Sequence, residues 1–373
     1  MARSADDSDT ENAIPSPRAN PDLVGHEAAE LELERLYRSK RLPHAILLAG
    51  PRGIGKATLA FRFARFLLTR GEAKQAAPEM FGASGVETGL AVDPDSGVFR
   101  RVAAGGHADL LTVERAWDPR RKRLRGEIVV EDTREIAAFF RLTAAEEGWR
   151  VVILDGAEEM NRNAANAVLK IIEEPPDRAL LLLVSHNPGR LLPTIRSRCR
   201  RLILTPLSVP LATQLLRRYR PELDAAEAEA LASLSGGSIG GALELADAGG
   251  LDLYRSLIEL LAHAPAIELG QLHGLTDRLA RTDAEDAHRA SEKLLSQFLA
   301  RLAVAAARGY RAAEEIVAGE SAAMQRLAGR ADPVSWATLR NEIDINFATA
   351  RELNLDRKQT MLGAFFAIDE LAR

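Results

Sequence analysis

A glycine-rich segment, GPRGIGKAT (residues 50–58), has the composition of a loop that binds phosphate. Gly50, Gly53 and Gly55 leave room for backbone N–H groups to curl around an anion, and a helix that follows would point its positive end at the same place. Lys56 would contact the outer phosphates of a nucleotide. We therefore interpret these residues as a phosphate-binding loop that suits ATP or ADP.

The two residues after this lysine depart from the usual motif. A Ser or Thr normally follows the lysine, and its hydroxyl binds Mg²⁺. Here Ala57 takes that position, and Thr58 lies one helical step further, which rotates its side chain by about 100°. We therefore count Ala57 and Thr58 with a degenerate nucleotide site at which Mg²⁺ binds weakly or not at all. A glycine-rich turn that holds no ligand is the alternative.

Apolar segments of strand length alternate with helical segments around the loop. HAILLAG precedes it and LAFRFARFLL follows it, which is the strand, loop and helix order that a phosphate loop requires. WRVVILDGAEE and ALLLLVSHN have the pattern of two further buried strands. This alternation predicts a parallel α/β sheet with its functional residues at the carboxyl ends of the strands.

Acidic residues follow the second of these strands. An acid at the position of Asp155 holds Mg²⁺ in phosphate-loop enzymes. In many motors a Glu comes next and polarises the attacking water, but this chain has Gly156 there. We interpret Glu158 and Glu159, which lie further on, as solvated acids at a helix start, where the helix dipole favours them.

Polar and basic residues follow the third strand. The tripeptide SHN (residues 185–187) either senses a γ-phosphate or hydrogen-bonds its own loop. The segment PTIRSRCRR (residues 193–201) then carries four arginines, with Arg198 in its middle. An arginine can neutralise phosphate charge in a neighbouring subunit's site, and a basic exposed turn is the alternative.

Composition shifts divide the chain into domains. Residues 1–20 are rich in Ser, Asp, Asn and Pro and are predicted to be disordered, and residues 71–108 have the composition of an inserted loop. From about Pro206 onward the pattern is helical, with glycine-rich breaks. The predicted parts are a disordered tail (1–20), an α/β domain (21–205), a small helical lid (206–248) and an all-helical domain (249–373).

The overall composition narrows the class of protein. Apolar residues make up 46% and charged residues 27%, and the net charge is −4, which argues against coating nucleic acid through charge alone. The one cysteine, Cys199, excludes a disulfide framework and suits a reducing cytoplasm. We expect neither a signal peptide nor a membrane span. The basic run Arg120 to Arg125 either contacts phosphates or forms a solvated hairpin tip.

Three segments together resemble one family. GPRGIGKAT, VVILDGAEEMNRNAANAVLKIIEEPP and LLPTIRSRC, in that order, are similar to the clamp-loader branch of the AAA+ ATPases. The resemblance covers roughly residues 23–245, and LNLDRKQTMLGAF near residue 360 is similar to the end of the family's collar. It implies a P-loop AAA+ domain, a helical lid and an all-α collar that joins partner subunits.

The departures from the family pattern point to one class within it. ATPase subunits carry an intact GK[ST], an Asp-Glu pair, usually a four-cysteine zinc module, and an arginine at the position of Gly240, all of which this chain lacks. It keeps the arginine of the Ser-Arg-Cys triplet, Arg198. This combination resembles the delta-prime class of the bacterial DNA polymerase III clamp loader.

That resemblance implies a subunit with little or no ATPase activity, which supplies Arg198 to a neighbour's nucleotide. With one cysteine the chain is expected to hold no zinc, which departs from many members of the delta-prime class. It implies tau/gamma-type ATPase subunits and delta as partners and, indirectly, the sliding clamp and primer–template DNA. One rival is an active ATPase subunit in which Thr58 and Glu158 replace the missing groups. The other is a free-standing P-loop phosphotransferase, which leaves Arg198 and the helical tail without a role.

Overall fold

The computed structural model describes residues 14–75, 89–120, 123–142, 145, 148–309 and 315–373, with the backbone alone for 71–75 and 123. The chain divides into two compact units, Met1–Leu207 and Ser208–Arg373. Among the described residues, no helix combines the length and the apolar character that crossing a membrane requires.

The first unit is built on a five-stranded parallel sheet. Its strands lie in the order β2-β5-β6-β1-β7, and a separate antiparallel hairpin pairs β3 with β4. The strands are β1 (Ala45–Ala49), β2 (Leu110–Val113), β3 (Trp117–Asp118), β4 (Arg123–Leu124), β5 (Arg150–Asp155), β6 (Ala179–Ser185) and β7 (Arg200–Ile203). The central strands are buried along their whole length, as expected when helices cover both faces of a parallel sheet.

Helices cover the two faces of this sheet. They are α1 (Glu27–Arg38), α2 (Lys56–Gln75), α3 (Gly97–Ala103), α4 (Val130–Arg141), α5 (Arg162–Glu173) and α6 (Pro193–Arg198). Alternate residues of β1 enter different hydrophobic clusters because successive strand side chains point to opposite faces. Ile46 and Leu48 join the cluster that contains α2, and Leu47 joins the one that contains α4 and α5. The predicted parallel α/β fold is therefore confirmed.

Two elements of this unit differ from the sequence interpretation. Residues 71–108 do not form a plain loop throughout, because α3 lies within them, begins at a Ser96 cap and buries Val98 and Val102; residues 76–88 lie outside the described range. Strand β7 was not predicted, since its sequence RRLI has two arginines and a largely exposed side-chain pattern. It pairs with β1 and forms one edge of the sheet.

The segment before α1 is held against α2. Arg65, which is 1% exposed, donates to the carbonyl oxygens of Arg18 and Asn20 at 2.8 and 2.7 Å. Its guanidinium also lies 4.5 Å from the ring centroid of Phe99. Residues 18–20 of the predicted tail therefore have fixed partners, and residues 1–13 lie outside the described range.

The second unit consists of helices, without a strand in residues 208–309 and 315–373. They are α7 (Val209–Tyr219), α8 (Ala225–Leu234), α9 (Ile239–Asp247), α10 (Gly250–Leu261), α11 (Leu269–Ala280), α12 (Glu285–Arg308), α13 (Glu320–Ala328), α14 (Pro333–Leu353) and α15 (Arg357–Leu371). Helices α7 to α15 contribute to one hydrophobic core, in which Trp336 is fully buried. The helical C-terminal half is confirmed, and its division into a lid and a collar stays a prediction.

Candidate functional site

The phosphate-like loop connects β1 to α2, and its first glycine is set by the sheet. Gly50 donates its N–H to the carbonyl oxygen of Ser185 at 3.3 Å. A Cβ at Gly50 would lie 2.3 Å from the carbonyl oxygen of Leu204, and the backbone φ of +152° disfavours any other residue. The loop thus begins where the carboxyl ends of β1, β6 and β7 come together.

The later part of the loop rests on the segment that precedes α1. Gly53 and Gly55 have φ angles of 75° and 100°, which glycine adopts without strain. The buried His26 places Nε2 2.5 Å from the carbonyl oxygen of Ile54, and Leu23 packs against Gly55. Sequence reasoning missed His26, because 28 residues separate it from its partner.

Lys56 lies at the first position of α2 and faces inward. It is 3% exposed, and its ammonium donates to the carbonyl oxygen of Pro51 within the same loop. Burial lowers the pKa of Lys56 to about 8, although the carboxylates of Asp155 and Glu158 favour its charged form. The lysine therefore closes onto its own loop, and its charge is near the two acids.

The groups expected to support magnesium are incomplete. Ala57 and Thr58 are half-buried in the first turn of α2, and Ala57 offers no oxygen. Asp155 ends β5, where burial and the nearby Glu114 raise the pKa of its carboxyl. Among the described residues, no three His, Cys, Asp or Glu side chains are grouped to hold a metal ion.

Gly156 occupies a position that resists a side chain. Its φ is 73°, in the left-handed region, and a Cβ there would lie 2.6 Å from Oε2 of Glu159. A water-orienting Glu at this position would therefore be strained and would displace Glu159.

Glu158 is not the solvated acid that the sequence suggested, and this interpretation is corrected. Its Oε1 accepts hydrogen bonds from the backbone N–H groups of His186 and Asn187 at 2.8 and 3.0 Å. Burial opposes its ionisation, but its own backbone, Ser185 and His186 hold its pKa below the usual value. The register that pairs β5 with β6 brings these two loops together, which spacing along the chain does not reveal.

Its neighbour Glu159 is also not free in solvent. Oε2 of Glu159 lies 2.8 Å from Nε of Arg115, with both side chains about a third exposed. Burial raises the pKa of Glu159, and the charges of Glu158 and Asp155 add to that effect. The loop after β5 is therefore tied to the β6 loop by one acid and to the β2 loop by the other.

The tip of the third predicted strand faces the lysine. Ser185 is fully buried at the end of β6. Burial and the charge of Lys56 lower the pKa of His186, so its imidazole is neutral at pH 7. Its Nδ1 is buried and has no hydrogen-bond partner in the part of the chain that the structure describes. The backbone N–H groups of this loop are bound by Glu158, and among the described residues Ser185 Oγ, like His186 Nδ1, has no hydrogen-bond partner. Both interpretations of the tip, phosphate sensing and hydrogen bonding by its own side chains, stay predictions.

Arg198 lies apart from these groups, at the last position of α6. Its guanidinium is 3.0 Å from Oε1 of Glu173 and donates to the carbonyl oxygen of Thr194 at 3.3 Å. The side chain remains 44% exposed. Arg198 is not among the groups that act on the charge of Asp155 in the described residues.

The residues around Arg198 have local roles. Cys199 is buried, and burial raises the pKa of its thiol to about 12, so it stays protonated. Arg196 donates to the carbonyl oxygen of Pro188 at 3.3 Å, and Arg200 donates to Glu32 at 2.7 Å. Arg196 and Arg200 are thus bound to other parts of the chain and not to the Arg198 pair.

Comparison with known proteins identifies the family of the first unit. Residues 25–208 match the family model described as DNA polymerase III, delta subunit. DNA polymerase III subunit delta' of Pseudomonas aeruginosa is 40% identical over 197 residues, which cover 52% of this chain and 53% of that protein. DNA polymerase III subunit tau of Escherichia coli is 31% identical over 238 residues, which cover 62% of this chain and 33% of that protein.

The chain therefore spans about half or less of the length of these curated relatives. A solved structure of a DNA polymerase III gamma subunit-related protein from Thermotoga maritima matches with 18% identity and a TM-score of 0.38, covering 91% of this chain and 99% of the other. Residues 25–208, just under half of the chain, therefore resemble the DNA polymerase III delta-subunit family, and the predicted resemblance to the delta-prime class is confirmed.

Proposed function

We propose that the chain is a stator subunit of the DNA polymerase III clamp loader, which helps to place a sliding clamp on primed DNA. It hydrolyses little or no ATP itself and supplies Arg198 to the nucleotide of a neighbouring ATPase subunit. The observation that carries this proposal is the contrast between a buried, incomplete loop site and an exposed arginine. Its relatives include delta' and tau subunits of DNA polymerase III.

The incomplete site explains why turnover by the chain itself would be slow. In-line attack on a γ-phosphate depends on a bound Mg²⁺ and a positioned water. Ala57 supplies no magnesium ligand, Gly156 supplies no base, and the carboxylate of Glu158 accepts two backbone N–H groups. The rival in which Thr58 and Glu158 restore activity would require that carboxylate to leave both donors.

The loop can still accept an anion. Its glycines keep the conformation of a phosphate cradle, Lys56 lies at the helix start, and the unpartnered Nδ1 of His186 lies near that lysine. We propose ATP or ADP as the ligand, with weak or no Mg²⁺ and no zinc. Binding requires the Lys56 ammonium to leave the Pro51 carbonyl.

The partners follow from this role. Tau/gamma-type ATPase subunits and delta would flank the chain, the second unit would provide the lid (206–248) and the collar (249–373), and the sliding clamp and primer–template DNA would be reached through the assembly. This places the protein in the cytoplasm. The pairing of Arg198 with Glu173 does not prevent such a contact, because exposed ion pairs contribute only about 0–1 kcal/mol.

The test is the variant Arg198→Ala, assembled with sister subunits in which the adjoining nucleotide site alone is active. ATP hydrolysis with primed DNA and clamp should fall by about 10³-fold or more. Arg190→Ala, which removes an equally exposed arginine upstream of α6, should leave turnover unchanged. Unchanged turnover in Arg198→Ala, or turnover by the isolated wild-type chain of about 1 s⁻¹, would contradict the proposal.

A further inference from the structure

The hairpin formed by β3 and β4 carries an exposed aromatic residue. Trp117 lies opposite Leu124 in the antiparallel pair, so the two side chains share one face. Trp117 is 59% exposed and Leu124 is 48% exposed. A cross-strand contact between them helps the hairpin to form, but it leaves most of the indole surface in water, where an aromatic ring is available to a ligand.

Basic residues follow this ring along the hairpin. Arg120 and Arg125 are exposed on the hairpin, within a run of the sequence that has five basic residues in six positions. The one acid inside the hairpin, Asp118, accepts the backbone N–H of Arg120 at 2.9 Å. The flanking acids are Glu114, near Asp155, and the exposed Glu127. Basic residues thus outnumber acids along the hairpin sequence, and Arg125, which follows Leu124, starts from the face opposite the indole.

The base of the hairpin is fixed to the carboxyl edge of the sheet. Arg125 donates its N–H to Ala116 at 2.8 Å, which closes the hairpin. Ile128 then donates its N–H to the carbonyl oxygen of Glu159 at 2.9 Å, and its own carbonyl oxygen accepts the N–H of Asn161 at 3.0 Å. The hairpin is therefore held at the loop that follows β5, beside the candidate nucleotide site.

We propose that this hairpin binds single-stranded DNA, with a base stacked on Trp117 and phosphates contacted by Arg120 and Arg125. An exposed indole on a hairpin that also carries exposed arginines matches an unpaired strand, because every base offers a π-face and the backbone carries a charge at each nucleotide. A duplex hides those faces. The choice of DNA rather than RNA rests on the proposed function. The contact extends that function, because the chain itself would bind the template strand directly.

The experiment measures binding of the full-length chain to a fluorescein-labelled dT20 oligonucleotide by anisotropy, over a series of salt concentrations. Trp117→Leu keeps the apolar contact with Leu124 and removes the aromatic plane. It should weaken binding by about tenfold while the slope of log K against log salt stays the same. Arg125→Ala should lower that slope by somewhat less than one, and it should weaken binding less at high salt than at low salt.

Arg41→Ala is the matched control. Arg41 is exposed and precedes β1, at the amino edge of the parallel sheet, whereas the hairpin follows β2 at the carboxyl edge. The Arg41→Ala variant loses the same charge as Arg125→Ala and should bind dT20 with an affinity within about twofold of the wild type. Thermal melting checks that each variant is folded. Intrinsic fluorescence gives a second readout, because Trp336 is fully buried and Trp149 partly buried, so quenching by dT20 should disappear in Trp117→Leu.

Several outcomes would overturn the inference. These are wild-type affinity in a folded Trp117→Leu, equal affinity for a 20-base-pair duplex, or displacement of dT20 by polyglutamate at equal charge, which would indicate an acidic protein as the ligand. Arg198→Ala should bind dT20 normally. If the hairpin variants bind dT20 as the wild type does while Arg198→Ala still lowers ATP hydrolysis, this inference is wrong and the proposed function stands.

Discussion

The phosphate-like loop and the arginine segment differ in how their polar groups are used within the chain. In the loop region, Lys56 donates to Pro51 and the carboxylate of Glu158 holds the backbone of the β6 loop. In the arginine segment, Arg198 keeps 44% of its side chain exposed and pairs with a half-exposed Glu173. The polar groups of the loop region are hydrogen-bonded within the chain, whereas Arg198 remains accessible to a contact outside it.

This difference has a physical consequence for substitutions. Groups that satisfy buried backbone or fill a close approach contribute to the free energy of unfolding. An exposed arginine contributes little to folding. We therefore expect changes in the loop region to alter stability first, and changes at Arg198 to alter only the activity of an assembly.

The largest effect on stability is expected for Gly50→Ala. The added Cβ meets the Leu204 carbonyl at 2.3 Å and the φ of +152° adds strain, so the free energy of unfolding should fall by about 2–4 kcal/mol. Urea denaturation followed by circular dichroism measures it. Gly106→Ala, where no atom lies within 4 Å of the new Cβ, is the control. Equal stability of the two variants would show that the loop is not fixed by the sheet.

The next effect is expected for Glu158→Gln. Two charge-assisted bonds to His186 and Asn187 become neutral, and the loss at pH 7 should be about 1–2 kcal/mol. The exposed Glu135→Gln should change stability by less than about 0.5 kcal/mol.

The pH dependence of the same variant has a defined sign. The pKa of Glu158 in the folded chain is below its ordinary value of 4.5, so its contribution is present above that pH and is lost as the pH falls through the folded pKa. The difference between wild type and Glu158→Gln should therefore shrink in acid. A constant difference between pH 7 and pH 3 would count against an ionised Glu158.

A smaller effect, of opposite sign, is expected for Lys56→Met. The folded chain holds Lys56 with a pKa of about 8 instead of 10.5, so at pH 7 its buried charge costs stability. The variant should gain about 1 kcal/mol, less than the pKa difference alone would give, because it also loses the hydrogen bond that Lys56 donates to Pro51. Between pH 8 and 10.5 the wild type gains stability and the difference should vanish. Lys170→Met, at an exposed lysine, should show no such gain. A loss of stability in Lys56→Met at pH 7 would contradict the inference that the buried charge of Lys56 is destabilising.

The smallest effect on folding is expected at the arginine segment. Arg198→Ala and Glu173→Ala each remove one partner of an exposed ion pair, so the free energy of unfolding should change by at most about 0.5 kcal/mol. Thermal melting of the isolated chain measures this. A loss of several kcal/mol would show that Arg198 is a structural residue and would end the contrast between the two regions.

The sequence was informative wherever a pattern is local. Buried strands such as HAILLAG and ALLLLVSHN are continuous apolar runs, and the order of strand, glycine loop and helix located the candidate site. The parallel sheet then placed Asp155 and the 185–187 tip at neighbouring strand ends, as predicted.

What the sequence did not reveal depends on contacts between distant segments. The contact of His26 with Ile54 spans 28 residues, and the Glu158 contact with His186 also spans 28. Neither leaves a periodic signal along the chain. Strand β7 was missed for a different reason, since an edge strand can carry arginines and an Ile203 that is 76% exposed, which is not an apolar run.

The single core of the second unit affects how that unit can move. Leu216 of α7 and Phe365 of α15 belong to the same hydrophobic cluster, which therefore extends across the predicted boundary between lid and collar at residue 248. Close-packed interiors transmit displacement instead of absorbing it. A displacement of the first helix of this unit would therefore be transmitted to the last one, and we expect no hinge within the unit at residue 248.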